Sequence, residues 1–155
     1  MANVETAKGP IDTARLGKVL MHEHVFVLST EIQQNYPEEW GDEQKRRADA
    51  VKRLNELKEA GIDTILDPTA LGLGRYIPRI KAIADQVGLN IVVATGLYTF
   101  DVLPHYFGSR SEDVMTSMFV RDIEKGIADT GIKAGVLKCA TDAPGLTPGV
   151  EQVLR

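Results

Sequence analysis

Short apolar runs alternate along this chain with longer segments whose apolar residues recur at helical spacing, and that alternation limits the folds open to it. The first run, residues 19–28, carries His22, Glu23 and His24 inside it. A polar loop follows over 33–41. Asp42 then suits a helix N-cap, Ala48, Val51, Leu54 and Leu57 repeat at helical spacing, and Gly61 suits the stop. A second strand is expected over 62–67, ended by Pro68. The next helix buries Ile77, Ile80, Ile83, Ala84 and Val87 and closes at Gly88. A third strand covers 90–95 and ends at Gly96. After a long loop with Pro104, His105, Tyr106 and Phe107, Ser111 caps a third helix. Its core face is expected to be Met115, Met118, Phe119, Ile123 and Ile127. The fourth strand is 134–140, and Thr147-Pro148 starts a last helix that reaches Arg155 after about two turns. The order β-α-β-α-β-α-β-α implies a parallel sheet with right-handed crossovers. An open doubly wound sheet and part of a (β/α)8 barrel both fit. No glycine-rich phosphate loop follows a strand, and Gly72-Leu73-Gly74 is too short a signal, so a nucleotide-binding sheet is disfavoured.

His22 and His24 carry the chemistry of the first run. Side chains two apart in a strand share a face, so both imidazoles project together and can share a metal ion. Zn, Co, Fe and Mn all accept imidazole. Two separately hydrogen-bonded core histidines are the alternative. Lys138 poses a similar choice in the fourth strand, on the face of Val136 and Ala140. It either snorkels outward or does chemistry. Burial disfavours the charged form of an amine, and a neutral amine reacts with carbon dioxide to give a carbamate able to bridge two metals.

Composition removes several classes of function. The chain has 155 residues, enough for one core, and a net charge of −4, which argues against nucleic acid or an anionic membrane surface as the main partner. Cys139 is the only cysteine, so no internal disulfide forms and a reducing compartment fits. No signal peptide is apparent, and no apolar run approaches the roughly 20 residues that span a bilayer. The expectation is a soluble, cytoplasmic protein.

Four motifs in order extend this reading. They are Val19-Leu-Met-His22-Glu-His24, Thr64-Ile-Leu-Asp67-Pro68-Thr69, Val93-Ala-Thr-Gly96-Leu-Tyr98, and the stretch from Gly126 through Gly131 to Lys138. Together they resemble the phosphotriesterase family of the amidohydrolase superfamily. Gly72-Leu-Gly-Arg75, Tyr98 and Pro104-His-Tyr-Phe107 are most similar to its phosphotriesterase-like lactonases. The resemblance covers essentially the whole chain. It implies a (β/α)8 TIM barrel of which residues 1–155 supply the first four βα units, ending inside the fourth helix, with the site at the C-terminal ends of the strands. It further implies that His22 and His24 bind the more buried of two divalent metals (Zn, Co, Fe or Mn). Lys138, as a carbamate, bridges both metals, and Tyr98 sits near the second one and touches substrate. In the family a bridging hydroxide attacks a lactone carbonyl that one metal polarises. The implied substrates are N-acyl-homoserine lactones, a quorum-quenching chemistry, and oxo-lactones, with weaker organophosphate hydrolysis. A homodimer of the complete enzyme is implied as well.

The family also uses two histidines from strands five and six and an aspartate from strand eight, and none of these strands is in this sequence. The third histidine, His105, matches no ligand position. Three functions therefore remain open: a lactonase whose remaining ligands lie in a second half-barrel, an enzyme acting mainly on phosphotriesters, and a non-catalytic half-barrel needing a complementary chain. Around the motifs, Asp67 reads as a turn-starting aspartate before Pro68 or as a group behind a ligand. Glu23 is expected to face away from the histidines and meet a basic residue of the helix layer. Cys139, alternating away from Lys138, reads as a small buried hydrophobe. Arg75 is open to a substrate or loop contact. Tyr36, Trp40, Tyr106 and Phe107 are open to a subunit contact, an acyl-chain channel or ordinary packing.

Overall fold

The computed structural model describes residues 2–155. Its centre is a parallel sheet in the order β3-β4-β5-β6, formed by β3 (Val19–Leu20), β4 (Thr64–Asp67), β5 (Asn90–Gly96) and β6 (Val136–Lys138). Thr64 pairs with Asn90 and Asp67 with Val93, while Ala94 pairs with Val136 and Gly96 with Lys138. Along β5, Ile91 and Val93 face the helical layer and join Ile65, Ile80, Ile83 and Leu54 in the main core. The buried Val92 and Ala94 alternate to the other face.

The helices follow their sequence signals closely. After β3 come α1 (Thr30–Asn35), α2 (Pro37–Trp40) and α3 (Glu43–Glu59). Asp42 caps α3 by accepting from the Lys45 amide, and Gly61 follows its end at φ +92°. Between β4 and β5 lies α4 (Ile77–Ala84), between β5 and β6 lie α5 (His105–Gly108) and α6 (Glu112–Glu124), and α7 (Pro148–Leu154) starts at Thr147, which accepts from the Val150 amide.

Several expectations are corrected. The loop over 33–41 is mostly helical: Ser29 caps α1 and Pro37 opens α2. The first strand stops at Leu20, with Met21 and His22 in a bend. One edge of this two-residue strand is unpaired among the described residues, so only β4 holds it, through Val19–Thr64 and Leu20–Ile65. The fourth strand shrinks to three residues for a similar reason, its outer edge having no partner among the described residues. Ile123 is exposed although it lies on the expected core face of α6; Asp122 is buried in its place. A hairpin, β1 (Asn3–Thr6) and β2 (Gly9–Asp12), was not expected. Its Ala7 amide donates to the Ile91 carbonyl at 2.7 Å, so it closes the N-terminal end of the sheet.

Two ionic clusters bind the loops to this frame. Arg75 Nη1 donates to Asp122 Oδ2 at 2.7 Å, and the Thr95 hydroxyl donates to the same oxygen at 2.6 Å. This joins the approach to α4, strand β5 and helix α6 inside the protein, so Arg75 is spent on structure. The second cluster centres on Trp40, whose indole ring has the Arg46 guanidinium 4.4 Å and the Arg79 guanidinium 4.7 Å from its centre. Glu43 ties Arg79 to Trp40, accepting from Arg79 Nε at 2.7 Å and from Trp40 Nε1 at 2.8 Å. Burial acts to raise the Glu43 carboxyl, but these hydrogen bonds outweigh it and hold the group below its ordinary range.

Asp122→Ala leaves the buried Arg75 cation unpaired. We expect a loss of about 3–5 kcal/mol in unfolding free energy by urea titration; a loss below about 1 kcal/mol contradicts this role. For Glu43 the folded value is depressed, so its contribution is complete above the ordinary 4.5 and disappears as pH falls through the lower folded value. Glu43→Gln should therefore lower the urea midpoint at neutral pH and flatten the decline below that point, and parallel acid limbs in both proteins would show that the cluster is not the cause.

Candidate metal centre

The parallel strands all end on one side of the sheet, and the groups singled out by the sequence gather there. His22 and His24 lie just past β3, Asp67 closes β4, Tyr98 follows β5 and Lys138 closes β6. His22, His24, Tyr98 and Lys138, with Val27, Leu73 and Cys139, line one open cleft of about 560 Å³. The strand expected to aim the imidazoles has already ended at Leu20, yet Glu23 N–H still donates to Leu66 O at 3.0 Å and keeps the backbone alongside β4. The two rings remain neighbours, their centroids 5.2 Å apart and their planes at 69°. His22 is exposed, while His24 is half-buried.

Behind His24 lies a pair of buried groups. Its Nδ1 is 2.8 Å from the Thr69 hydroxyl, and that hydroxyl is 2.5 Å from Asp67 Oδ1. The same carboxylate oxygen accepts the Thr69 amide at 3.0 Å. Both readings of Asp67 are therefore satisfied: it makes the turn after β4 and stands behind a candidate ligand. Thr69 lies inside a quoted motif but had no role in the sequence reading; the Asp-x-Thr spacing at a strand end, which favours such a turn, is the signal that points to it.

The electrostatics suit metal ligation. Desolvation lowers His24 from its ordinary value, and the charges of His22 and Lys138 act the same way, against the opposing pull of Asp67 and Glu23. The net shift favours the neutral imidazole, the form a metal ion takes. Burial raises the Asp67 carboxyl, opposed by the Thr69 hydrogen bonds and by His24. Two neighbouring imidazoles and a lysine amine fit part of a divalent-metal shell. Among the described residues no group of three His, Cys, Asp or Glu side chains completes one.

Other candidates fall outside the centre or change role. Glu23 is exposed and forms no ion pair among the described residues, because the chain leaves the sheet before its carboxylate reaches the helical layer. Cys139 is half-buried and lines the cleft beside Lys138, since β6 ends at Lys138 and alternation stops with it; it also packs against the smaller core cluster that includes Leu97 and Phe107. Exposed His105 stays in α5, outside the cleft. Phe107 is core and Trp40 belongs to the arginine cluster, whereas Tyr36 and Tyr106 are exposed.

Gly96 and Gly72 let this rim close. A Cβ at Gly96, φ +118°, falls 2.0 Å from the Lys138 carbonyl oxygen, and one at Gly72, φ +90°, falls 2.6 Å from that of Tyr98.

Comparison with known proteins gives the family and the fold. The phosphotriesterase family model matches residues 2–155. A phosphotriesterase homology protein of Mycobacterium tuberculosis is 65% identical over 162 residues, covering 100% of this chain and 50% of that protein. An aryldialkylphosphatase of Saccharolobus solfataricus is 38% identical over 148 residues, covering 96% and 47% respectively. The solved structure of the phosphotriesterase from M. tuberculosis superposes with a TM-score of 0.94 at 65% identity, over 99% of this chain and 49% of that one. The chain thus spans about half the length of the relatives it matches, and its four parallel strands are the first βα units of a (β/α)8 barrel.

Gly96→Ala should cost at least about 2 kcal/mol, from backbone strain and from the separation of β6 from β5. Urea denaturation measures it, and a variant as stable as the parent would mean that this contact does not hold Lys138 in place.

Proposed function

Because the chain belongs to the phosphotriesterase family, we propose that it forms the first half of a metal-dependent hydrolase barrel that opens N-acyl-homoserine lactones or oxo-lactones. The observation that carries this reading is the meeting of His22, His24, Lys138 and Tyr98 on one cleft at the strand ends. His22 and His24 hold one divalent ion, Zn, Co, Fe or Mn, through neutral imidazole nitrogens. Lys138, were its neutral Nζ to add carbon dioxide and lose a proton, would offer carbamate oxygens as further metal donors. The bound metals supply an activated water and polarise the substrate carbonyl. Tyr98, on the same cleft, orients substrate, and Val27 and Leu73 give the cleft apolar wall on which an acyl chain can lie. The other donors come from a second half-barrel, the complete enzyme works as a homodimer, and its place is the cytoplasm.

A second reading, with phosphotriesters as the main substrates, is favoured by the name of the S. solfataricus relative, an aryldialkylphosphatase. The ratio of kcat/KM for a homoserine lactone to that for an aryl dialkyl phosphate decides between them. In the complete barrel, His22→Ala and Lys138→Ala should each lower metal content and reduce lactone turnover by about 100-fold or more. Intact metal content and turnover in both variants overturns the assignment. Residues 1–155 alone should show little turnover, and full turnover by a species of 17.0 kDa would overturn the need for a second half.

A further inference from the structure

We infer that Thr69, held by Asp67, is a positioning residue that fixes His24 as its Nδ1–H tautomer and so presents Nε2 as the ligand nitrogen. The inference rests on His24 being a metal ligand, but the proton assignment stands on hydrogen-bond counting alone. A threonine hydroxyl has one proton to donate and lone pairs to accept with. Three groups surround Thr69 Oγ1: Asp67 Oδ1 at 2.5 Å, His24 Nδ1 at 2.8 Å and the Phe26 carbonyl oxygen at 3.3 Å. The carbonyl can only accept. Asp67 Oδ1 already accepts the Thr69 amide at 3.0 Å, so it too faces Thr69 as an acceptor. The hydroxyl proton goes to the nearer of the two, the carboxylate.

What remains toward His24 is a lone pair, so Nδ1 must carry the hydrogen that bridges the 2.8 Å gap. The nitrogen across the ring is then unprotonated. Asp67 stands 3.8 Å from Nδ1, beyond direct hydrogen-bonding range, so its influence passes through the hydroxyl. Both groups are sealed from water, Asp67 being 2% and Thr69 7% exposed, so solvent does not compete for these bonds. Among the described residues His22 has no hydrogen-bonding side-chain partner of this kind and is exposed, which makes the two histidines unequal: one is preset and the other is not.

Nitrogen-15 NMR of histidine-labelled, metal-free protein tests the assignment directly. His24 should give the Nδ1–H pattern in the parent and in Thr69→Ser, and lose that preference in Thr69→Val. Zinc competition titrations on the same proteins should then show affinity about 10- to 100-fold weaker for Thr69→Val and close to the parent for Thr69→Ser. An Nε2–H pattern in the parent overturns the proposal, as does an unchanged tautomer or unchanged zinc affinity in Thr69→Val. Should Thr69→Val fail to fold, the parent spectrum alone still decides the tautomer. Failure of the metal reading looks different: the Nδ1–H pattern persists while His24→Ala leaves zinc affinity unchanged.

Discussion

From Thr64 against Asn90 to Asp67 against Val93, the parallel ladder between β4 and β5 is the constraint to which the rest of the chain is referred. Both strands are buried almost throughout, so their register is set by which side chains the helical layer can accept. β3 and β6 attach to this pair by only two and three residues. Every group on the cleft follows from that register. Asp67 is the last residue of one strand, Tyr98 comes two residues after the other, and each outer strand brings its ligand candidates to the same cleft.

Within this frame, buried polar contacts do what a longer sheet would otherwise do. Arg75, Thr95 and Asp122 lock α6 to β5, and Glu43 with Arg79 and Arg46 locks the helical segment after β3 onto α3 and α4. Neither cluster touches the cleft, but the loops they hold form its walls. The two imidazoles and the lysine amine are thereby kept on one cleft.

The fold class was readable because short apolar runs and period-3.6 segments alternate cleanly, with Asp42, Gly61, Pro68 and Thr147 marking the boundaries. That His22, His24, Lys138 and Tyr98 meet at the strand ends was readable because their motifs are local in sequence. Contacts between distant residues were not. Asp122 looked like an ordinary polar position beside Ile123 until Arg75, 47 residues away, supplied its partner. The bend at Met21 was hidden by an apolar run that continues to Leu28, since apolar patterning cannot tell where an edge strand runs out of neighbours. The hairpin escaped notice because Asn3–Thr6 and Gly9–Asp12 are too short and too polar to show a period. Thr69 had no visible role because its importance depends on two residues meeting across a turn.

The glycine contacts at the cleft rim divide the mouth into two kinds of position. Gly96 against Lys138, Gly72 against Tyr98 and Gly74 against Leu28 bring backbone so close that no side chain fits between. Val27, Leu73 and Tyr98 instead extend into open volume. Mutational drift is therefore channelled: the lining can change shape residue by residue, while the seams beneath it stay fixed. A lineage carrying this rim can reshape the cleft without disturbing the spacing of its histidines and lysine.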